Sequence, residues 1–125
     1  MSSAALDPDP VNIMEVKLDE RKGRLHVILD TDVTSTQVTT LRKGMIDAFD
    51  LHGFDSWKDL YLDMRDSRMI DSMGVNWLFA ENVRLQENSK ELVLRISSPA
   101  INRIIQFSGL DKLVTLKYRR RKQTR

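Results

Sequence analysis

Between residues 59 and 118 the chain keeps changing its hydrophobic period, and this alternation narrows the available folds more than any other feature. Residues 59–64 (DLYLDM) form a short apolar run suited to a buried central strand. Residues 91–97 (ELVLRIS) alternate in the period of a strand. Between them, Val75, Leu78, Phe79 and Leu85 fall at helical spacing, with Asn82 as a polar interruption, and predict a helix from about Met73 to Glu87. Ser98-Pro99 is a helix start, with Ser98 as N-cap and Pro99 at the first helical position. Ile101, Ile104, Ile105 and Ser108 share one face of that helix. Gly109 ends it in the left-handed conformation, and Leu110 folds back onto it. A last strand spans 113–118.

The first half completes the pattern. Residues 13–18 and 24–30 both alternate, placing Met14, Val16, Leu18 and Leu25, Val27, Leu29 on one face, with Arg21-Lys22-Gly23 as the turn of a hairpin. Ser35 or Thr36 is expected to cap a helix to about Leu51. Its stripe is Val38, Leu41, Met45, Ala48 and Phe49, and His52-Gly53 ends it. The order β-β-α-β-α-β-α-β predicts an α/β fold. About five strands form a mixed sheet with parallel pairs and right-handed crossovers, packed with about three main helices. With 125 residues and 41% apolar composition there is material for one core. We assign residues 1–10, with Pro8 and Pro10, to a loose arm, 11–118 to the domain and 119–125 to a basic tail.

Charge and composition remove whole classes of function. The 20 basic and 18 acidic residues nearly balance, at a net +2, and Arg119, Arg120, Arg121, Lys122 and Arg125 crowd the tail. The body is therefore mildly acidic, and no aromatic residue follows Tyr118 to stack on a base, so no nucleic-acid partner is expected. The absence of cysteine excludes disulfides and thiolate chemistry, and two histidines cannot build a His-rich metal site. No apolar run approaches the roughly 20 residues of a membrane helix, and MSSAALDPDP lacks the features of a signal peptide. These readings place the protein in the cytoplasm, away from the membrane.

Catalytic machinery is missing as well. The chain has no G-x-S-x-G elbow, no phosphate-binding P-loop and no dinucleotide fingerprint. His26 sits in a strand between Leu25 and Val27, and His52 at a helix end, where it favours the dipole. Asp63, Asp66 and Asp71 lack the spacing of a calcium loop and read as a strand-end, a loop and a capping carboxylate. The chain is expected not to be an enzyme and to need no cofactor or metal.

One constellation carries chemistry: Asp71-Ser72-Met73-Gly74, after a strand and loop and at the start of a helix. A helix N-terminus presents free N–H groups and partial positive charge, so it tolerates an added phosphate, and Ser72 offers a hydroxyl there. Gly74 is expected to keep the backbone uncrowded for a partner. Met69, Ile70 and Met73 supply a flexible apolar surface, and Trp77 or Met73 is expected to lie partly exposed beside Ser72 as a partner contact.

The ordered set LYLDM, MIDSMGVNWLFAENVRL and ELVLRISSPAINRIIQFSGLDKLVTL resembles the STAS domain of bacterial anti-sigma factor antagonists. The resemblance rests on Asp71-Ser72-x-Gly74, Ser98-Pro99, Arg103 and Gly109-Leu110, in order and at family-like spacing. It implies a partner switch. The unphosphorylated protein would bind an anti-sigma factor that is also a serine kinase of the GHKL ATPase type. Phosphorylation of Ser72 would release it, and a PP2C-type phosphatase would reset it. Asp71 and Gly74 would shape the loop. Two stretches depart from the family pattern: Leu29 to Thr34, where a Gly-x-Leu-Asp stretch is frequent, and Ser67-Arg68, where the family is more apolar. The alternative reading is a constitutive accessory subunit of a transporter or of a stress-signalling assembly, roles in which STAS domains also occur.

Overall fold

A computed structural model describes residues 13–121; the 1–10 arm, Lys122 and Arg125 lie outside them. The strands are β1 (Met14–Asp19), β2 (Arg24–Leu29), β3 (Asp59–Met64), β4 (Glu91–Ile96) and β5 (Thr115–Tyr118). The helices are α1 (Ser35–His52), α2 (Ser72–Glu87) and α3 (Pro99–Ser108), and a 3-10 turn, Leu110–Lys112, precedes β5. The sheet order is β1-β2-β3-β4-β5, antiparallel at the first pair and parallel at the other three. The α/β architecture read from the periodicity is the observed one, with the last strand shortened by the 3-10 turn.

Register explains why one face is covered. Val16↔Val27, Val27↔Leu62 and Leu62↔Leu94 align as a row of apolar side chains across the sheet. Leu25, Leu60 and Leu92 make a second row, and Leu29, Met64 and Ile96 lie on the same face. These residues join Leu41 and Met45 of α1, Leu78 and Leu85 of α2, and Ile101 and Ile105 of α3 in one core. Successive parallel strands connected the same way place all three crossover helices on one side. The opposite face carries His26↔Tyr61↔Val93 and Asp63↔Arg95. There Arg24 stands over the Tyr61 ring at 4.6 Å and Lys117 at 5.3 Å.

The helix ends follow local chemistry in two cases of three. Ser98 caps α3 by accepting the Ile101 N–H at 3.2 Å, and Gly109 adopts φ 83°, ψ 0°, the left-handed cap that leads into fully buried Leu110. At α1 the expected self-cap is corrected. Thr34 is the N-cap residue, it makes no capping bond, and the Ser35 N–H instead donates 2.7 Å to Asp71, 36 residues away.

The buried stripe of α2 also differs from the expected one. Trp77 and Glu81 join it, while Phe79 is only half-buried. Ile104 of α3, expected on the buried face, is exposed. Glu81 is 2% exposed; its Oε2 accepts the Trp77 indole N–H at 3.1 Å, and its Oε1 has no partner. Burial raises the Glu81 pKa above the usual carboxylate range, against the opposing influence of Arg84, the Trp77 bond and Arg42. Between the unfolded and the raised folded pKa, the folded state holds a proton that the unfolded chain has released. Stability contributed by this group therefore falls as pH rises through that window. Glu81→Gln keeps an acceptor for the indole and removes the ionisation. The variant should melt higher than the parent at neutral pH, with the gap closing toward acid. Identical pH dependence of the two melting temperatures would refute this account.

The basic tail is partly engaged. The Arg119 N–H donates to the Ile96 carbonyl at 3.1 Å, and Arg121 pairs with Asp66 at 2.8 Å. The ion pair is exposed on both sides, and such pairs contribute about 0–1 kcal/mol. Truncation after Tyr118 should therefore lower the melting temperature only slightly. A large drop in a calorimetric scan would show that the tail is integral to the fold.

Candidate functional site

The carboxyl ends of β3 and β4 carry the chemistry, as is usual at the open end of a parallel sheet. After β3 the chain runs through residues 65–71 beside the loop that follows β2. The Val33 N–H donates to the Met69 carbonyl at 3.0 Å, and the Asp71 N–H donates to the Val33 carbonyl at 3.3 Å; a parallel bridge joins Val33 and Ile70. Asp32 accepts the Arg68 N–H at 2.8 Å and the Met69 N–H at 3.3 Å. Ser67, fully buried, donates its hydroxyl to the Thr31 carbonyl at 2.6 Å. The two stretches that depart from the family pattern are thus bonded to each other.

Asp71 closes this assembly. One carboxylate oxygen accepts the Gly74 N–H at 2.9 Å and caps α2; the other accepts the Ser35 N–H and caps α1. These backbone donors, Gly74 first and Ser35 next, hold the Asp71 carboxyl below its usual pKa, so it is ionised at neutral pH. One side chain joins the starts of two helices.

Ser72 is the first residue of α2 and is exposed. Met69 at 60% and Met73 at 48% exposure flank it in sequence. Asp71, Ser72, Met73 and Met69 therefore lie at the surface of one loop and helix start. The other three expected contact residues do not. Ile70, expected in the apolar contact surface, is 4% exposed and belongs to the core. Trp77 is 1% exposed, packed in the core and bonded to Glu81, because its indole N–H finds a partner on its own helix. Gly74 is buried as well: a Cβ there would lie 2.1 Å from the Val33 carbonyl oxygen and 2.9 Å from Ile70 and Val33 side-chain carbons. Its missing side chain makes room for the chain's own loop. The expectation that it clears space for a partner is corrected.

The three aspartates have separate partners. Asp63 is bound by Arg65 in a two-pronged pair, Nε to Oδ1 at 2.9 Å and Nη2 to Oδ2 at 2.7 Å. Burial pushes the Asp63 pKa up, but the Arg65 bonds outweigh it and leave the carboxyl below its usual value. Asp66 pairs with Arg121, and Asp71 caps. Among the described residues no cluster of three or more metal-ligating side chains occurs.

The family model of the STAS domain matches residues 15–122, nearly the whole chain. The chain belongs to the STAS domain family. Solved structures agree at the level of fold. A Thermotoga maritima protein assigned as an anti-sigma factor antagonist superposes with a TM-score of 0.73 at 14% identity, covering 88% of this chain and 89% of its own. The unphosphorylated form of the anti-sigma factor antagonist SpoIIAA gives 0.65 at 16% identity, covering 82% and 86%. The phosphorylated form of the Bacillus cell fate determinant SpoIIAA gives 0.60 at 16% identity, covering 82% and 89%. Within this STAS domain, Asp32, Ser67 and Ser35 shape the site without having been singled out for it from the sequence. Asp32 and Ser67 lie in the two stretches that depart from the family pattern, and Ser35 is a cap candidate for α1, but nothing local in the sequence shows that they bond across the loops.

Proposed function

We propose that this STAS domain is a phospho-regulated antagonist of an anti-sigma factor, with Ser72 as the switch. The observation that carries the reading is the exposed Ser72 hydroxyl at the first position of a 16-residue helix whose start is held by Asp71. A kinase needs an accessible hydroxyl, and a reversible switch needs a scaffold that survives the modification. The α2 N-terminus meets the second need, since its partial positive charge favours a phosphate. Met69 and Met73 provide adaptable apolar contact around the acceptor. SpoIIAA, which shares this fold, has been solved in phosphorylated and unphosphorylated forms, which further supports the reading. The partner would be an anti-sigma factor that is also a GHKL-type serine kinase, with a PP2C-type phosphatase reversing the modification, all in the cytoplasm.

The test incubates the STAS domain with its candidate kinase and ATP and maps the modified residue by mass spectrometry. Phosphate on Ser72, removed by the phosphatase, is the expected result. Stable binding to a partner with Ser72 never modified would favour a constitutive accessory subunit.

A further inference from the structure

A second feature lies at the same end of the sheet, between the 65–68 segment and the start of α3. It is a cleft of about 410 Å³ bordered by Arg65, Arg68, Arg120, Arg121, Ser97 and Ser98. Four arginine residues border it, and two are already engaged: Arg65 with Asp63 and Arg121 with Asp66, the one acidic residue in the lining. Arg68 and Arg120 have no carboxylate partner among the described residues. Two arginines without a carboxylate partner among the described residues thus border one cavity.

The start of α3 closes one side of the cleft. Ser98 accepts the Ile101 N–H and donates its own hydroxyl to the Arg68 carbonyl at 3.3 Å, which ties the helix start to the arginine segment. Pro99, which also lines the cleft, has no N–H to donate. The independent observation is Ser97. It is 7% exposed, it lines the cleft, and its buried hydroxyl has no hydrogen-bond partner. A buried hydroxyl left unpaired costs stability unless something satisfies it.

We propose that this cleft binds a phosphate dianion, as inorganic phosphate or as the phosphoryl group of a small monoester. Arg68 and Arg120 supply the compensating charge, and the unpaired Ser97 hydroxyl supplies a hydrogen bond. A dianion matches the two free guanidinium charges, and Arg presents paired donors suited to phosphate oxygens. The cavity exceeds the volume of one phosphate, which leaves room for a small ester group. The site does not depend on Ser72 chemistry.

The experiment is a 15N-NMR titration of the STAS domain with inorganic phosphate, with sodium chloride at matched ionic strength as the control. Saturable shifts at 65–68, 97–100 and 119–121, with a Kd of about 1 mM or tighter, are expected. The double variant Arg68→Gln/Arg120→Gln should weaken binding at least tenfold and Ser97→Ala severalfold. Lys112→Gln, which borders a different cavity, and Ser72→Ala should leave it unchanged. A parallel titration with O-phosphoserine identifies the source: tighter binding than inorganic phosphate marks an esterified ligand, weaker binding marks the free ion, and either supports the site. Lack of saturation, equal shifts with chloride, full affinity in the double arginine variant, or loss of binding in Ser72→Ala would overturn the proposal.

Discussion

Gly74→Ala should destabilise this STAS domain by about 3 kcal/mol or more, the upper range for overpacking a filled interior. The added methyl would lie 2.1 Å from the Val33 carbonyl oxygen, a backbone atom that cannot swing aside as a side-chain end does. Val33 is held on both sides, its carbonyl by the Asp71 N–H and its own N–H by the Met69 carbonyl. Relief would require the 30–34 loop to move away, which strains the Ser35–Asp71 bond that caps α1. In urea the midpoint should fall by one molar or more at an m-value of about 1–3 kcal/mol/M. Gly44→Ala is the matched control. Its Cβ would meet the Met14 side chain at 3.0 Å, and a flexible thioether can shift. Equal effects of the two substitutions would mean that the Val33 loop is not seated against α2.

Complete phosphorylation of Ser72 should lower affinity for the proposed anti-sigma partner at least about 100-fold, which is about 2.7 kcal/mol. The phosphate brings a charge of about −1.5 to −2 next to ionised Asp71, and closing an interface over both would require their desolvation. Within the chain the same group lies at the start of α2, so thermal stability and the amide spectrum away from the site should change little. The expected mode of release is exclusion of the partner rather than refolding. Ser72→Ala should bind normally and resist the kinase, and Ser72→Glu should fold normally and bind weakly. Calorimetric titration of the four forms decides it. Unchanged affinity after full modification of Ser72 would sink the switch. Affinity lost together with the fold would point to unfolding as the cause.

Hydrophobic period and local hydrogen bonding account for the order of the elements and for the ends of α3, though not for the start of α1 or for exposed Ile104. Alternation at Met14, Val16 and Leu18, and again at Leu25, Val27 and Leu29, encodes a strand face in six residues, because side chains leave a strand on opposite sides in turn. The run 59–64 could only be a central strand once helices had to follow it on one side of a sheet. Ser98-Pro99 and Gly109 set the ends of α3 through their own hydroxyl, ring and missing Cβ. Asp71 as a cap and exposed Ser72 behind it belong to the same local chemistry. The remaining features depend on groups far apart in the chain and arise only on folding. Asp71 caps a helix beginning 36 residues earlier, Ser67 satisfies Thr31, and Gly74 is required by Val33. The helical wheel left Trp77 free to face a partner. Packing beside Glu81 buried it, and burial in turn raised the Glu81 pKa. The meeting of Arg68, Ser97 and Arg120 around one cleft has the same origin: parallel β3 and β4 end side by side, and a chain read residue by residue holds those ends 32 positions apart.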